Sequence, residues 1–187
     1  MSEDLFVAWP KIPRAKDNSI LITEKMDGTN ACVYIRDGEL AAVQSRKRLI
    51  TPEDDNFGFA AWAHENEEGL VQLGEGRHYG EWCGPGIQKN PHELDKRYFY
   101  LFNVERPVET LPDCVRQVAT LYRGPYTDEV VYEVFWDLQQ DAIERGYKPE
   151  GVIVYYRLFR QSFKLTYENA QGKWAADPLT KPNGDLI

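Results

Sequence analysis

Basic side chains are in short supply in this 187-residue chain: 22 lysines and arginines face 30 acids, leaving a formal charge of -8. A protein that holds nucleic acid ordinarily presents a basic face, because neutralising phosphates supplies much of the affinity. A broadly basic surface is excluded here, so any anionic partner must be met by a local concentration of cations. Cysteine is scarce as well. Cys32, Cys83 and Cys114 are odd in number and lack Cys-x-x-Cys spacing, which argues against a zinc site or a disulfide framework and fits a reduced, cytoplasmic setting. No apolar stretch approaches the length of a membrane span, the N-terminus has no apolar signal region, and no repeat is visible.

What is present describes a globular protein. Apolar residues make up 42% of the chain and aromatics 13%, enough for a substantial core in one unit spanning residues 1–187. Strands are expected near Ile20–Glu24, Ala31–Arg36 and Leu40–Ser45, with Asp37-Gly38 as a hairpin turn between the last two. A helix near Phe57–Glu67 is expected to bury Phe57, Ala60, Ala61 and His64, which fall at helical spacing. Strands follow at Arg77–Trp82 and Arg97–Val104, the second dense in aromatics, and a further one near Val118–Tyr122. Thr127 suits a helix N-cap, and Val131, Val134, Phe135, Leu138 and Ile143 suit the core face of a helix closed by Gly146. Gly151–Tyr156 and Gln161–Tyr167 form a last hairpin, flanked by an ordered arm at Trp9–Arg14 and a loosely held tail from Gly172. The sum is an α+β fold.

One stretch carries chemistry: Glu24-Lys25-Met26-Asp27-Gly28-Thr29-Asn30. Lys25 follows the apolar run Ile20-Leu21-Ile22, so it leaves a buried strand where the backbone turns at Asp27-Gly28. A lysine desolvated at such a strand end has its charged form disfavoured, which makes the amine a nucleophile near neutral pH.

Lys-x-Asp-Gly resembles the nucleophile motif of the covalent nucleotidyltransferases, the superfamily of ATP-dependent DNA ligases, RNA ligases and mRNA capping enzymes. The resemblance continues in order along the chain, through Ser45-Arg46-Lys47-Arg48, Gly80-Glu81-Trp82-Cys83-Gly84, Phe99-Tyr100-Leu101-Phe102-Asn103-Val104, Pro149-Glu150-Gly151-Val152-Ile153-Val154 and Ser162-Phe163-Lys164-Leu165. Asn30 after the first motif is closest to RNA ligases of the nick-sealing type. The resemblance implies an ATP-grasp-like ligase adenylation fold, with antiparallel sheets flanked by a few helices; such ligases usually append an OB-fold or helical domain, and no appended OB-fold is expected in the 23 residues after Lys164. It also implies an ATP-dependent polynucleotide ligase that joins 5′-phosphate and 3′-hydroxyl ends of RNA or nicked nucleic acid through a lysyl-AMP.

Roles follow residue by residue from the same resemblance. Lys25 is the nucleophile, Lys164 places charge on the α-phosphate, and Glu150 holds magnesium or manganese or its water. Glu24 and Asn30 belong to the nucleotide pocket, Arg46 reaches ribose or phosphate, Glu81 accepts from the ribose and Phe102 stacks on the base. Apart from the resemblance, the Trp9–Arg14 arm either packs on the body or turns Lys11 or Arg14 to the triphosphate. The family's last motif usually carries a second lysine where this chain has Thr166, so Arg157, Arg160 or Lys173 would have to replace that cation. The acid balance leaves a local positive site or a helper protein for nucleic acid as alternatives. A GTP-using capping-type enzyme and a nucleotide-binding module that does not seal ends are rival readings.

Overall fold

The computed structural model describes residues 18–167, so the arm at Trp9–Arg14 and the tail with Lys173 lie outside the described residues. Two sheets make up the architecture. The smaller has the order β10-β9-β1-β8, built from β1 (Ser19–Glu24), β8 (Thr120–Pro125), β9 (Gly151–Tyr156) and β10 (Gln161–Thr166), all antiparallel. The larger has the order β4-β3-β2-β5-β6-β7. Its strands are β2 (Thr29–Arg36), β3 (Glu39–Ser45), β4 (Leu49–Ile50), β5 (Gly76–Cys83), β6 (Tyr98–Leu101) and β7 (Val115–Gln117), with only the β6–β7 pair parallel. The expected α+β class with antiparallel sheets is what the chain adopts.

Each sheet is covered on one face. The pleat of β1 sends Ile20 and Ile22 into a core with Val131, Phe135 and Leu138 of α3 (Asp128–Arg145). Leu21 and Thr23 take the other face, and so does Lys25 one step beyond the strand. In the larger sheet, Val33, Ile35, Trp82, Phe99 and Leu101 pack against Phe59, Ala60 and Leu70 of α1 (Phe59–Glu65) and α2 (Glu67–Leu70). Asn30, Glu81 and Tyr100 lie on the opposite face of that sheet, in one cross-strand row.

Three expectations about elements are corrected. The first helix starts at Phe59, because Phe57 and Gly58 both take left-handed backbone (φ 52 and 72) and hold the chain out of the helix. The Asp55 carboxylate then accepts from the Ala60 and Ala61 amides at 2.8 and 3.0 Å, and Phe59, Ala60 and Ala63 form the buried stripe in place of Phe57, Ala61 and His64. The aromatic strand spans only Tyr98–Leu101, which leaves Phe102 beyond its end. The strand expected near Val118–Tyr122 starts two residues later, at Thr120, as β8 of the smaller sheet, and the unexpected β7 just before it joins the larger sheet. In α3, capped by Thr127 and closed by Gly146 in left-handed backbone as expected, Ala142 is buried while Ile143 is exposed.

Candidate active site

Residues Lys25–Gly28 form the crossing from the smaller sheet to the larger one. Gly28 permits that crossing. A Cβ at this position would stand 2.5 Å from the Trp82 carbonyl oxygen and 2.9 Å from Cγ of Glu81, so only glycine lets the backbone lie this close to β5. The turn chemistry read into Asp27-Gly28 is therefore close approach rather than positive φ, since Gly28 is not among the left-handed glycines. Beneath the crossing, Met26, Cys83 and Val118 form a small apolar floor. Burial, aided by the Glu81 charge, raises the Cys83 thiol well above its usual range, which leaves it neutral and unreactive.

The structure brings Lys25, Glu150 and Glu81 together. The Lys25 amide donates to the Gly151 carbonyl (2.9 Å), extending the β1–β9 ladder by one residue. On the side-chain level, Lys25 Nζ forms an ion pair with Glu150 Oε1. Both groups are mostly shielded, with side chains 19% and 27% exposed. An amine held in this pair is free to react only once it parts from Glu150. Among the described residues, no group of three His, Cys, Asp or Glu side chains is arranged to hold a metal. Glu150 offers one hard carboxylate group, which fits magnesium or manganese carried mainly by phosphate oxygens and water.

Glu81 is 9% exposed, and Asn30 Nδ2 donates to its Oε2 at 2.9 Å. Burial pushes its carboxyl up to about 7, against the pull of Lys25 and the Asn30 hydrogen bond, while Glu150 and Asp27 push the same way as burial. Arg46 directly follows β3, whose Ser45 pairs with Ala31, so it sits level with Asn30 at the strand end, exposed. Of its basic neighbours, Arg48 is held by Asp54 at 2.6 Å and serves the loop. Phe102 is 42% exposed on the same face as Glu81 and Tyr100, and its amide donates to the Tyr79 carbonyl (2.9 Å). A fully buried core role for this ring is excluded.

On the smaller sheet, Lys164 pairs with Ile153, which pairs with Thr23, so Lys164 lies on the face that Lys25 takes. Thr166 pairs with Gly151, whose carbonyl accepts from Lys25, so Thr166 lies in the lysine's own row with only a glycine between. Arg157 and Arg160 sit in the β9–β10 turn at the other end of the hairpin, about 20 Å along the strands from Thr166. They cannot stand in for a second lysine there, which corrects that expectation.

Glu24 is also near the crossing, but alternation directs its side chain away from the Lys25 face. Its Oε1 accepts from His92 Nε2 (2.8 Å) and from the Tyr147 hydroxyl (3.2 Å). The Tyr147 hydroxyl is pushed up to about 12, by burial first and then by the Glu24 charge, and so remains a donor. His92 and Tyr147 carried no signal in the sequence, because both lie in irregular segments where periodicity says nothing.

The RNA ligase family model matches residues 18–166. The chain belongs to the RNA ligase family. A search of curated proteins gives no match. Among solved structures, a Naegleria gruberi RNA ligase mutant with ATP and Mn is 22% identical, with a TM-score of 0.60 over 86% of this chain and 52% of that one. A second mutant of that ligase, with AMP and Mn, is 24% identical, with a TM-score of 0.60 over 83% of this chain and 52% of its own. An apo form matches at 23% identity and a TM-score of 0.61, over 86% of this chain and 52% of its own. The chain thus shares the ligase fold and spans about half the length of these structures.

The buried carboxyl gives a pH signature in the nucleotide-free protein. The native Glu81 binds its proton more tightly than the unfolded chain does, so the native state holds more protons between about pH 4.5 and 7. The stability it contributes is present in full below about 4.5 and is lost as pH rises through 7, by at most about 3 kcal/mol. Glu81→Gln, which still accepts from Asn30, should flatten this slope in denaturant titrations. An equal slope in the variant would show that Glu81 is not its source.

Proposed function

We propose that this chain is an ATP-dependent RNA ligase that works through a lysyl-AMP at Lys25. The single observation that carries the reading is the meeting of Lys25 with Glu150 and Glu81 at the sheet crossing, within the span matched by the RNA ligase family. Lys25 attacks the α-phosphorus of ATP, a nitrogen–phosphorus bond forms, and the bond to pyrophosphate breaks. The amine gives up a proton, and Glu150, its ion-pair partner, is in place to receive it. A 5′-phosphate end then displaces Lys25 and takes the AMP, and a 3′-hydroxyl end attacks to release it.

Supporting roles follow from placement. Glu81, oriented by Asn30, accepts from the ribose hydroxyls once it is ionised, and Arg46 approaches from the adjoining strand edge. Phe102 offers an exposed ring on the same face for the base. Lys164 directs its charge at the α-phosphate from the face that Lys25 shares. Glu150 would hold magnesium or manganese alongside the phosphates, and the ion would supply neutralising charge to the triphosphate. The Naegleria ligase structures with ATP or AMP and Mn support this choice of nucleotide and metal. A helper protein for the nucleic acid is part of the proposal, since the net charge is -8 and the cations near the site are few.

The test is incubation with radiolabelled ATP and a divalent ion, followed by addition of a nicked RNA duplex with a 5′-phosphate. We expect label to enter the protein and then leave as the nick is joined, with Lys25→Ala inert at both stages. Label from GTP alone would indicate the capping-type reading. Label from ATP without joining under any condition would indicate a module that does not seal ends.

Phe102→Ala should weaken ATP binding by about 1–3 kcal/mol, as base–aromatic stacking does elsewhere. Because the ring is exposed, its thermal stability should stay close to that of the parent. Calorimetric titration and a melting curve on one preparation separate the two effects, and unchanged affinity would remove Phe102 from the pocket.

Thr166→Lys should add an ammonium in the row of Lys25. One charge-assisted contact to phosphate corresponds to about 1.5–3 kcal/mol, or about ten- to a hundredfold in rate. Self-adenylation should accelerate by that order, most strongly at low divalent ion concentration. An unchanged or slower rate in a folded variant would contradict it.

A further inference from the structure

The segment Gly84–Arg97, between β5 and β6, grips the crossing on both sides of Lys25. Upstream, His92 Nε2 is 2.8 Å from Glu24 Oε1, with side chains only 16% and 10% exposed. Downstream, the Lys89 amide donates to Asp27 Oδ2 in a longer contact of 3.4 Å. The segment is under conformational load as it does so. Gln88, Asn90 and Glu93 all take left-handed backbone (φ 47, 44 and 49), a region that non-glycine residues rarely occupy. Such strain persists only where surrounding contacts over-determine the conformation, and the His92–Glu24 bond is a buried contact of that kind.

Glu24 is also tied to the short segment that leads through Glu150 into β9. Tyr147, three residues before Glu150 in sequence, donates to the same Oε1 at 3.2 Å and lies against the His92 ring, with centroids 4.7 Å apart. Two neighbouring residues are therefore bonded to one short segment from opposite faces of β1: Glu24 to Tyr147, and Lys25 to Glu150. Fixing the Glu24 carboxylate fixes the backbone from which Lys25 projects.

We propose that His92 is a positioning residue for the lysine nucleophile: through Glu24 and Tyr147 it clasps the Gly84–Arg97 segment to the crossing and sets Lys25 against Glu150. This rests on the lysyl-AMP reading above. The clasp lies on the face of β1 away from Lys25, so it acts on alignment and not on nucleotide contact. Small displacements of a reacting group cost rate steeply, so loss of the clasp should slow adenylyl transfer about ten- to a hundredfold.

The test compares the parent protein with His92→Ala and His92→Gln, the latter keeping a neutral donor. At saturating ATP, single-turnover adenylation of His92→Ala should fall by that factor while its Kd for ATP stays within about twofold. His92→Gln should recover most of the rate. In the nucleotide-free protein, hydrogen exchange in His92→Ala should quicken at residues 24–28 and 84–97 and stay unchanged in β2 and β5. Wild-type adenylation by His92→Ala, a parallel loss of rate and affinity, or no recovery in His92→Gln would overturn the proposal. Unchanged exchange at residues 24–28 would overturn it as well, and that readout needs no activity. A parent protein that takes no label from ATP would instead overturn the lysyl-AMP reading, and the positioning role with it.

Discussion

The ion pair between Lys25 and Glu150 sits where the two sheets exchange the chain, and the surrounding structure is arranged to hold it. Burying two charges costs desolvation that their attraction only partly returns, so such a pair is poor support for stability alone. The chain commits much of its local sequence to it all the same. Ile20 and Ile22 anchor β1 beneath α3, Gly28 lets the crossing lie on β5, and Gly151 lets β10 close on β9 where a Cβ would stand 1.9 Å from the Leu165 carbonyl oxygen. Close approach of backbones is what brings a lysine and two carboxylates within each other's fields.

Glu81 shows how one environment gives two acids different behaviour. It is buried, shares a hydrogen bond with Asn30 and has its proton held up to about 7, whereas Glu150 faces a cation directly. A carboxyl in the first condition responds to a ligand hydroxyl that favours its ionised form. One in the second is suited to exchanging a proton with its partner. The separation follows from strand position alone, with Glu81 in the middle of a six-stranded sheet and Glu150 just before an inner strand of a four-stranded one.

Much of this was legible in the sequence because the informative segments are regular. The β1 run, the Asp37-Gly38 hairpin, the Thr127 cap and the final hairpin each follow from local rules that no tertiary contact overrides. The first helix failed at its start, since left-handed backbone at Phe57, a residue that ordinarily avoids it, cannot be foreseen from spacing. Ile143 failed because a helix eighteen residues long presents more apolar positions than one sheet face can cover. The candidate site residues divide in the same way. Lys25, Glu81 and Glu150 sit in ordered motifs, whereas His92 and Tyr147 lie in a loop and just past a helix end, where only coordinates show the partners. The suggestion that Arg157 or Arg160 replaces the missing lysine failed on strand length, a quantity that sequence proximity conceals.

The central claim is that the amine held by Glu150 is the one that takes the nucleotide. Incubation with ATP and manganese, acid-free proteolysis and mass mapping of the peptides tests it most directly. An AMP adduct is expected on the peptide containing Lys25, reduced by Glu150→Gln and absent in Lys25→Ala. An adduct on Lys164 or any other lysine, or one that persists in Lys25→Ala, would contradict it.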